Sequence, residues 1–160
     1  QGMALMAAFY LNELILNFIR RGDPHPGLFM AYAEALAELR QGPDSEPALR
    51  RFELRLLAEA GYGLNLDHDV LNDVALDPHG SYEYRIEHGP VPAEAGQAAL
   101  VLSGLTLLAI SRGELTDPGV LQSAKRLLRG VLAHYLDGRT LRTRQVLASM
   151  RRAPAVSQLS

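Results

Sequence analysis

Residues 3–20 are apolar on almost every side. Leu5, Met6, Phe9, Tyr10, Leu14, Leu16, Phe18 and Ile19 are relieved by few polar residues, Asn12, Glu13 and Asn17, before Arg20. A helix with so little polar surface has to be covered around most of its circumference. The stretch therefore predicts either a central helix or one that packs on a neighbour outside this sequence. It is not a membrane span, because no run in the chain reaches 18 uninterrupted apolar residues. Residues 98–110 come closest and are broken by Ser103, Gly104 and Thr106. With 160 residues, 48% of them apolar, the chain has the means to bury roughly two thirds of its unfolded surface in one core.

Helical spacing continues on both sides of one interruption. The two prolines in Gly22–Gly27 end the first helix. A second is expected over Pro26–Arg40, with Phe29, Ala33, Leu36 and Leu39 as its buried stripe. Ser45 reads as the N-cap of a third, with Pro47 in its first turn, Leu49, Phe52, Leu56 and Leu57 inward, and Gly61 as the C-terminal stop. Residues 62–102 lose the period, and within them Ser81–Ile86 and Ala99–Leu102 read as short strands. Ser103 caps a fourth helix closed by Gly113. Asp117-Pro118 starts a long fifth with Val120, Ala124, Leu127, Val131 and Tyr135 on one face. Thr140 is expected to cap a last helix over Leu141–Met150, with Leu147 and Met150 buried. The fold class is thus mainly α: a compact domain of about six helices over residues 1–152, a small irregular or β insertion at roughly 65–102, and a flexible tail at 153–160.

Charge is distributed unevenly along this chain. Between Glu59 and Leu100 there are eight acids, opposed only by Arg85; from Val120 onward there are eight bases, opposed only by Asp137. Fifteen of the sixteen bases are arginine, whose planar fork matches phosphate or carboxylate. Lys125, Arg126 and Arg129 on the fifth helix, with Arg139, Arg142 and Arg144 beyond it, form one patch if the last helix folds back. Such a patch binds a nucleic-acid backbone in a salt-dependent way, or equally an acidic peptide. Tyr135 is the nearby aromatic, and it falls on the apolar stripe, so the patch has no obvious stacking platform. A plain solvated helix face is the competing reading.

Other chemistries find less support. The chain has no cysteine, which excludes disulfides, thiolate metal sites and a thiol nucleophile. Asp67, His68, Asp69, Asp73, Asp77 and His79 crowd into thirteen residues. Their spacing matches neither the calcium loop nor His-Glu-x-x-His. A metal-dependent enzyme built on that cluster remains the alternative reading. Neither a Gly-x-Ser-x-Gly elbow nor a glycine-rich phosphate loop is present, so no catalytic residue and no cofactor is nominated.

Three blocks carry a family resemblance. Leu49-Arg50-Arg51-Phe52-Glu53-Leu54-Arg55-Leu56-Leu57, ending in Gly61-Tyr62-Gly63, resembles the "LRRFEL.LL...GYG" segment of the RecO recombination mediators. Tyr10-Leu11-Asn12-Glu13-Leu14 is similar to the family's "Y-[LI]-N-E-L" helix. Lys125-Arg126, then Tyr135-Leu136-Asp137-Gly138-Arg139-Thr140-Leu141-Arg142-Thr143-Arg144, resembles its ending. The resemblance implies a bacterial DNA repair and recombination mediator domain. Such a domain works with RecR to load RecA on DNA coated by single-stranded DNA-binding protein, and anneals strands. It implies the helical C-terminal domain without the N-terminal OB-fold, so the chain, which opens on Gln1, is expected to be a piece of a longer cytoplasmic, nucleoid-associated protein. The family's zinc cysteines are missing: His68-Asp69-Val70 stands in their place, and residues 65–102 are expected to be a metal-free remnant. The resemblance also implies that the domain docks the acidic, Phe-ended tail of single-stranded DNA-binding protein. Arg50 is then the first candidate for a carboxylate contact, with Arg51 and Arg55 beside it; a structural bridge from Arg50 to Glu46 is its competing role. Lys125, Arg126, Arg129, Arg139, Arg142 and Arg144 are the candidates for DNA backbone contacts, with binding of that tail as their second use. A structural module that docks RecR is a further alternative.

Overall fold

The computed structural model describes residues 2–42, 44–94 and 100–152. Its elements run α1 (Gly2–Phe18), α2 (Pro26–Gln41), α3 (Glu46–Glu59), β1 (His68–Asp69), β2 (Val74–Ala75), β3 (Ser81–Arg85), β4 (Gly89–Pro92), β5 (Val101–Ser103), α4 (Gly104–Ser111), α5 (Pro118–Leu136) and α6 (Arg142–Arg152). The chain is mainly helical with a small antiparallel β insertion. The expected tail at 153–160 and the inward placement of Leu147 and Met150 lie outside the described residues and side chains.

The most deeply buried helices are α3 and α5. On α5, Ala124, Leu127, Leu128, Val131, Leu132 and Leu136 are buried, and on α3 Leu49, Phe52, Leu56 and Leu57 are. The first helix is not the central one. It buries Ala7, Tyr10, Leu11 and Leu14 along one face and leaves Leu5, Phe9 and Leu16 exposed. The second helix is turned by about one residue from its expected stripe. Leu28, Ala35 and Leu39 are buried, whereas Phe29 is 74% exposed. Both stripes satisfy the helical period. The observed one wins because Tyr32 lies on it, meets the Phe52 ring edge-on at 6.2 Å and donates to Asn12 Oδ1 at 2.7 Å.

Helix ends show where local chemistry prevails and where it does not. Ser103 and Asp117 cap α4 and α5 as expected, accepting from Thr106 N at 3.1 Å and Val120 N at 2.9 Å. Ser45 does not cap α3: its backbone is helical (φ −90°, ψ −12°) and its side chain makes no cap bond. Asp44 Oδ1 accepts from Glu46 N instead, at 3.2 Å. Gly61, at φ +89°, follows α3 and lets Tyr62 N reach Leu57 O at 2.7 Å. Thr140 lies too early to cap α6, which starts at Arg142. The cap comes from α1: the Glu13 carboxylate accepts from Arg142 N at 2.6 Å, Thr143 N at 3.0 Å and Thr143 Oγ1 at 2.6 Å.

The insertion is a two-stranded hairpin, β1-β2, and a three-stranded antiparallel sheet in the order β4-β3-β5. Tyr82 on β3 pairs with Pro92 on one side and Leu102 on the other. The prolines of β4 are tolerated because it is an edge strand. Despite its weak periodicity, the insertion shares the main core through Leu66, Leu76, Tyr82 and Leu102. An aromatic seam joins α1, the end of α3 and α5, and an ion pair ties the insertion to α5 beside it. Tyr62 stacks on Tyr135 with ring centroids 4.2 Å apart, Phe18 meets Tyr62 edge-on, and Glu87 binds His134 at 2.8 Å. Burial, with Tyr135 nearby, pushes the Tyr84 phenol up to about 12.

Candidate anion-binding pocket

The buried polar group at the heart of the bundle is Glu53. It follows from the helical period: Glu53 sits next to Phe52 and one turn before Leu56 and Leu57, on the inward side of α3. It is fully buried, a position a carboxylate occupies only when paired. Arg50, one turn earlier and 6% exposed, places Nη2 3.0 Å from Glu53 Oε1, and Tyr10 of α1 donates its hydroxyl to the same oxygen. Burial raises the Glu53 pKa, against the opposing pull of Arg50 and Tyr10. Burial also raises that of Tyr10, reinforced by the Glu53 charge. Arg144 of α6 lies 6.0 Å from the Tyr10 ring centre and donates a long 3.5 Å bond to its hydroxyl. The competing Arg50–Glu46 bridge exists only as a 3.9 Å approach.

Above this network opens a cavity of about 160 Å³, lined by Met3, Ala7, Tyr10, Ser45, Glu46, Leu49, Arg50, Lys125, Arg129 and Arg144. Four cations from three helices thus share one depression with apolar side chains. Within it Lys125 Nζ donates to Glu46 Oε1 at 2.8 Å. Among the described residues, Arg129 and Arg144 make no ion pair. The arrangement suits a ligand that combines an apolar side chain with a carboxylate: Met3, Ala7 and Leu49 offer dispersion contact, and guanidinium forks offer charge-assisted hydrogen bonds.

The predicted site residues are therefore regrouped. Arg50 joins Lys125, Arg129 and Arg144, which the charge pattern had assigned to DNA. Arg51 and Arg55 face another groove, between α2 and α3, with Arg51 paired to Glu38 and Arg55 to Glu59. Arg139 is spent on the backbone. It donates to Leu136 O at 2.9 Å, Tyr135 O at 3.4 Å and Asn17 O at 3.1 Å, pinning the end of α5 to α1. Arg126 and Arg142 are exposed outside the pocket. Sequence reasoning missed Tyr10 and Glu46 as pocket residues, and Tyr62 as the stacking partner of Tyr135. For Glu53 an available signal was an acid on the apolar side of an otherwise regular stripe.

The acid and histidine cluster of 67–79 is committed to turns. Asp69 accepts from Leu71 N, Asn72 N and Asn72 Nδ2, which hold its pKa below the usual carboxylate range. His68 binds Asp73 at 2.8 Å, and Asp77 accepts from His79 N at 2.9 Å. Among the described residues no three His, Asp or Glu side chains are grouped to hold a metal, and no helix is long and apolar enough to cross a membrane.

Known proteins resemble the chain along nearly its whole length. Residues 1–145 match the family model described as "Recombination protein O C terminal". A protein of Azoarcus sp. named DNA repair protein RecO is 44% identical over 153 residues, covering 93% of this chain and 63% of the relative. Proteins of the same name from Nitrosospira multiformis and Aromatoleum aromaticum are 46% and 45% identical, covering 92% and 93% of this chain. The chain spans about three fifths of the length of the curated relatives it matches.

Proposed function

Because the chain belongs to the RecO family of DNA repair proteins, as its C-terminal domain, we propose that it is a non-catalytic docking domain of a recombination mediator. Its pocket takes the acidic, apolar-ended tail of single-stranded DNA-binding protein. The observation that carries this reading is the convergence of Arg50, Lys125, Arg129 and Arg144 around an apolar depression. A peptide ending in an aromatic residue presents the complementary pair of groups, a ring for Met3, Ala7 and Leu49 and an α-carboxylate for the cations. Acidic residues upstream add long-range steering that fades with salt. Docking of that tail would place the domain on DNA already coated by its partner, where RecA is loaded and strands are annealed together with RecR.

Backbone contacts to DNA fall to the exposed cations outside the pocket, Arg126 and Arg142, while Arg139 is engaged with backbone carbonyls of α1 and α5. This division is supported by position: Arg50, Lys125, Arg129 and Arg144 line the pocket, while Arg126 and Arg142 are exposed outside it.

The test is fluorescence anisotropy with a labelled acidic peptide ending in Phe. Arg129→Glu is the cleanest variant, since Arg129 is exposed and makes no ion pair among the described residues. Arg50→Glu would set a second carboxylate beside buried Glu53 and so mixes folding with binding. Saturable binding that weakens with salt and is lost in Arg129→Glu is expected; binding unaffected by that change, and by Arg144→Glu, would refute the pocket. For DNA, Arg126→Glu with Arg142→Glu is expected to lower the slope of log affinity against log salt by roughly 2. An unchanged slope would remove those two residues from the DNA surface.

A further inference from the structure

The pocket already contains a carboxylate. Glu46 stands in the first turn of α3 and its side chain lines the depression. It reaches across to α5, where Oε1 accepts from Lys125 Nζ at 2.8 Å, while Oε2 lies 3.9 Å from Arg50 Nη2. Lys125 and Arg50 belong to the cation set that would receive an incoming carboxylate. Glu46 and Lys125 both keep contact with solvent: their side chains are 26% and 24% exposed. Arg129 and Arg144 complete the ring without an ion pair of their own. Half of the ring is thus matched internally and half is open.

Resting on the docking reading above, we infer that Glu46 is an internal occupant of the pocket, which a ligand carboxylate must displace from Lys125 and Arg50. Arg129 and Arg144 receive the ligand first, because among the described residues neither makes an ion pair. To bind fully, the ligand then competes with Glu46 for Lys125. Two carboxylates facing one ammonium repel each other at short range, so Glu46 either swings out or weakens the complex. Its position makes that swing feasible. It sits at the start of the helix, and its partly exposed side chain can turn to water without breaking an α3 backbone bond. The latch therefore sets affinity: it keeps an Arg-rich pocket from holding any stray anion and favours a ligand that also fills the apolar part. A structural bridge between α3 and α5 is the competing role of the same contact. The two differ in sign, since loss of a structural bridge weakens binding or leaves it unchanged, while loss of the latch strengthens it.

The experiment is anisotropy on the full chain with a fluorescein-labelled acidic peptide ending in Phe, as the free acid and as the C-terminal amide. Wild type, Glu46→Gln, Glu46→Ala and Arg129→Glu are compared, with thermal melts by circular dichroism confirming that each is folded. Glu46→Gln is expected to bind the free acid about tenfold tighter than wild type, with a smaller gain for the amide. Glu46→Ala repeats the result without a side chain that can hydrogen-bond Lys125, and serves if the glutamine variant is misfolded. Binding to wild type that is unchanged or weaker in both Glu46 variants overturns the latch and leaves the docking pocket standing. Equal gains for acid and amide also overturn it, since the α-carboxylate is then not the competitor. No binding by wild type or either Glu46 variant overturns latch and pocket together. Binding that appears only when Glu46 is replaced supports both.

Discussion

Glu13 shows how much one side chain decides in this domain. Its carboxylate bonds to the first turn of α6, a helix 129 residues away in sequence. Burial opposes its ionisation, but the bonds from Thr143 and Arg142 outweigh it, and the pKa falls below the ordinary glutamate value of 4.5. The depressed folded value means that the ionised form stabilises the fold. That contribution is complete above 4.5 and is lost as the pH drops through the lower folded value. Glu13→Gln is expected to cost about 1 kcal/mol at neutral pH, the size of a helix cap. Denaturant titrations from neutral to acid pH should show wild type and variant converging as the carboxylate protonates. A gap that persists in acid would assign the loss to packing. Glu53 poses the opposite case. Removing it with Glu53→Ala leaves buried Arg50 only the 3.9 Å approach of Glu46 as countercharge and is expected to cost about 3–5 kcal/mol. Equilibrium unfolding measures it, and a loss below 1 kcal/mol would mean that water has entered to solvate Arg50.

At the scale of elements, the caps divide into those made locally and those borrowed. Ser103 and Asp117 act within their own turns, so both were readable from sequence: a short polar residue sits just before an apolar run. Ser103→Ala and Asp117→Ala are each expected to lower stability by about 1 kcal/mol. Ser45→Ala is expected to change it by less than about 0.5 kcal/mol, as for surface positions that make no such bond. Comparison of the three by urea unfolding checks the assignment, and a large loss at Ser45 would contradict the cap geometry. The buried stripe of α3 was legible because one apolar face stands out there. The stripe of α2 was not, since Phe29 and Leu28 begin two competing faces of equal period. Only contact with Tyr32, Asn12 and Phe52 chooses between them.

The whole molecule depends on a few tight joints between helices and insertion. Gly104 is one of them: a Cβ there would lie 1.9 Å from Asp77 O, while its N–H bonds to Gly80 O at 2.9 Å. No side chain fits, so Gly104→Ala is expected to displace the β2–β3 connection and loosen the insertion, at a cost of several kcal/mol. Hydrogen exchange should then rise across residues 77–103 more than in α3 and α5; equal protection in variant and wild type would show that the joint yields easily. The aromatic seam of Phe18, Tyr62 and Tyr135 belongs to the same scale, since its members come from α1, the end of α3 and α5.

The sequence by itself determined the helical class, the six helices and their approximate bounds, two of the strands and the family. The family follows from the resemblance of three blocks of residues; the class, helices and strands follow from apolar spacing, prolines, glycines and local caps, all of which act over a few residues. It also located the cations and named Arg50. Tertiary structure alone decided which cations share a site. Arg50 and Arg51 are neighbours in sequence yet point into different grooves, because successive helical residues are turned by about 100°. Arg50 and Arg144 are far apart in sequence yet meet around Tyr10, because Glu13 fastens α6 to α1. The pairing of Glu46 with Lys125 belongs to that second kind of fact. It spans 79 residues, and a charge pair across that distance carries no periodic signal until the helices that bear it have packed.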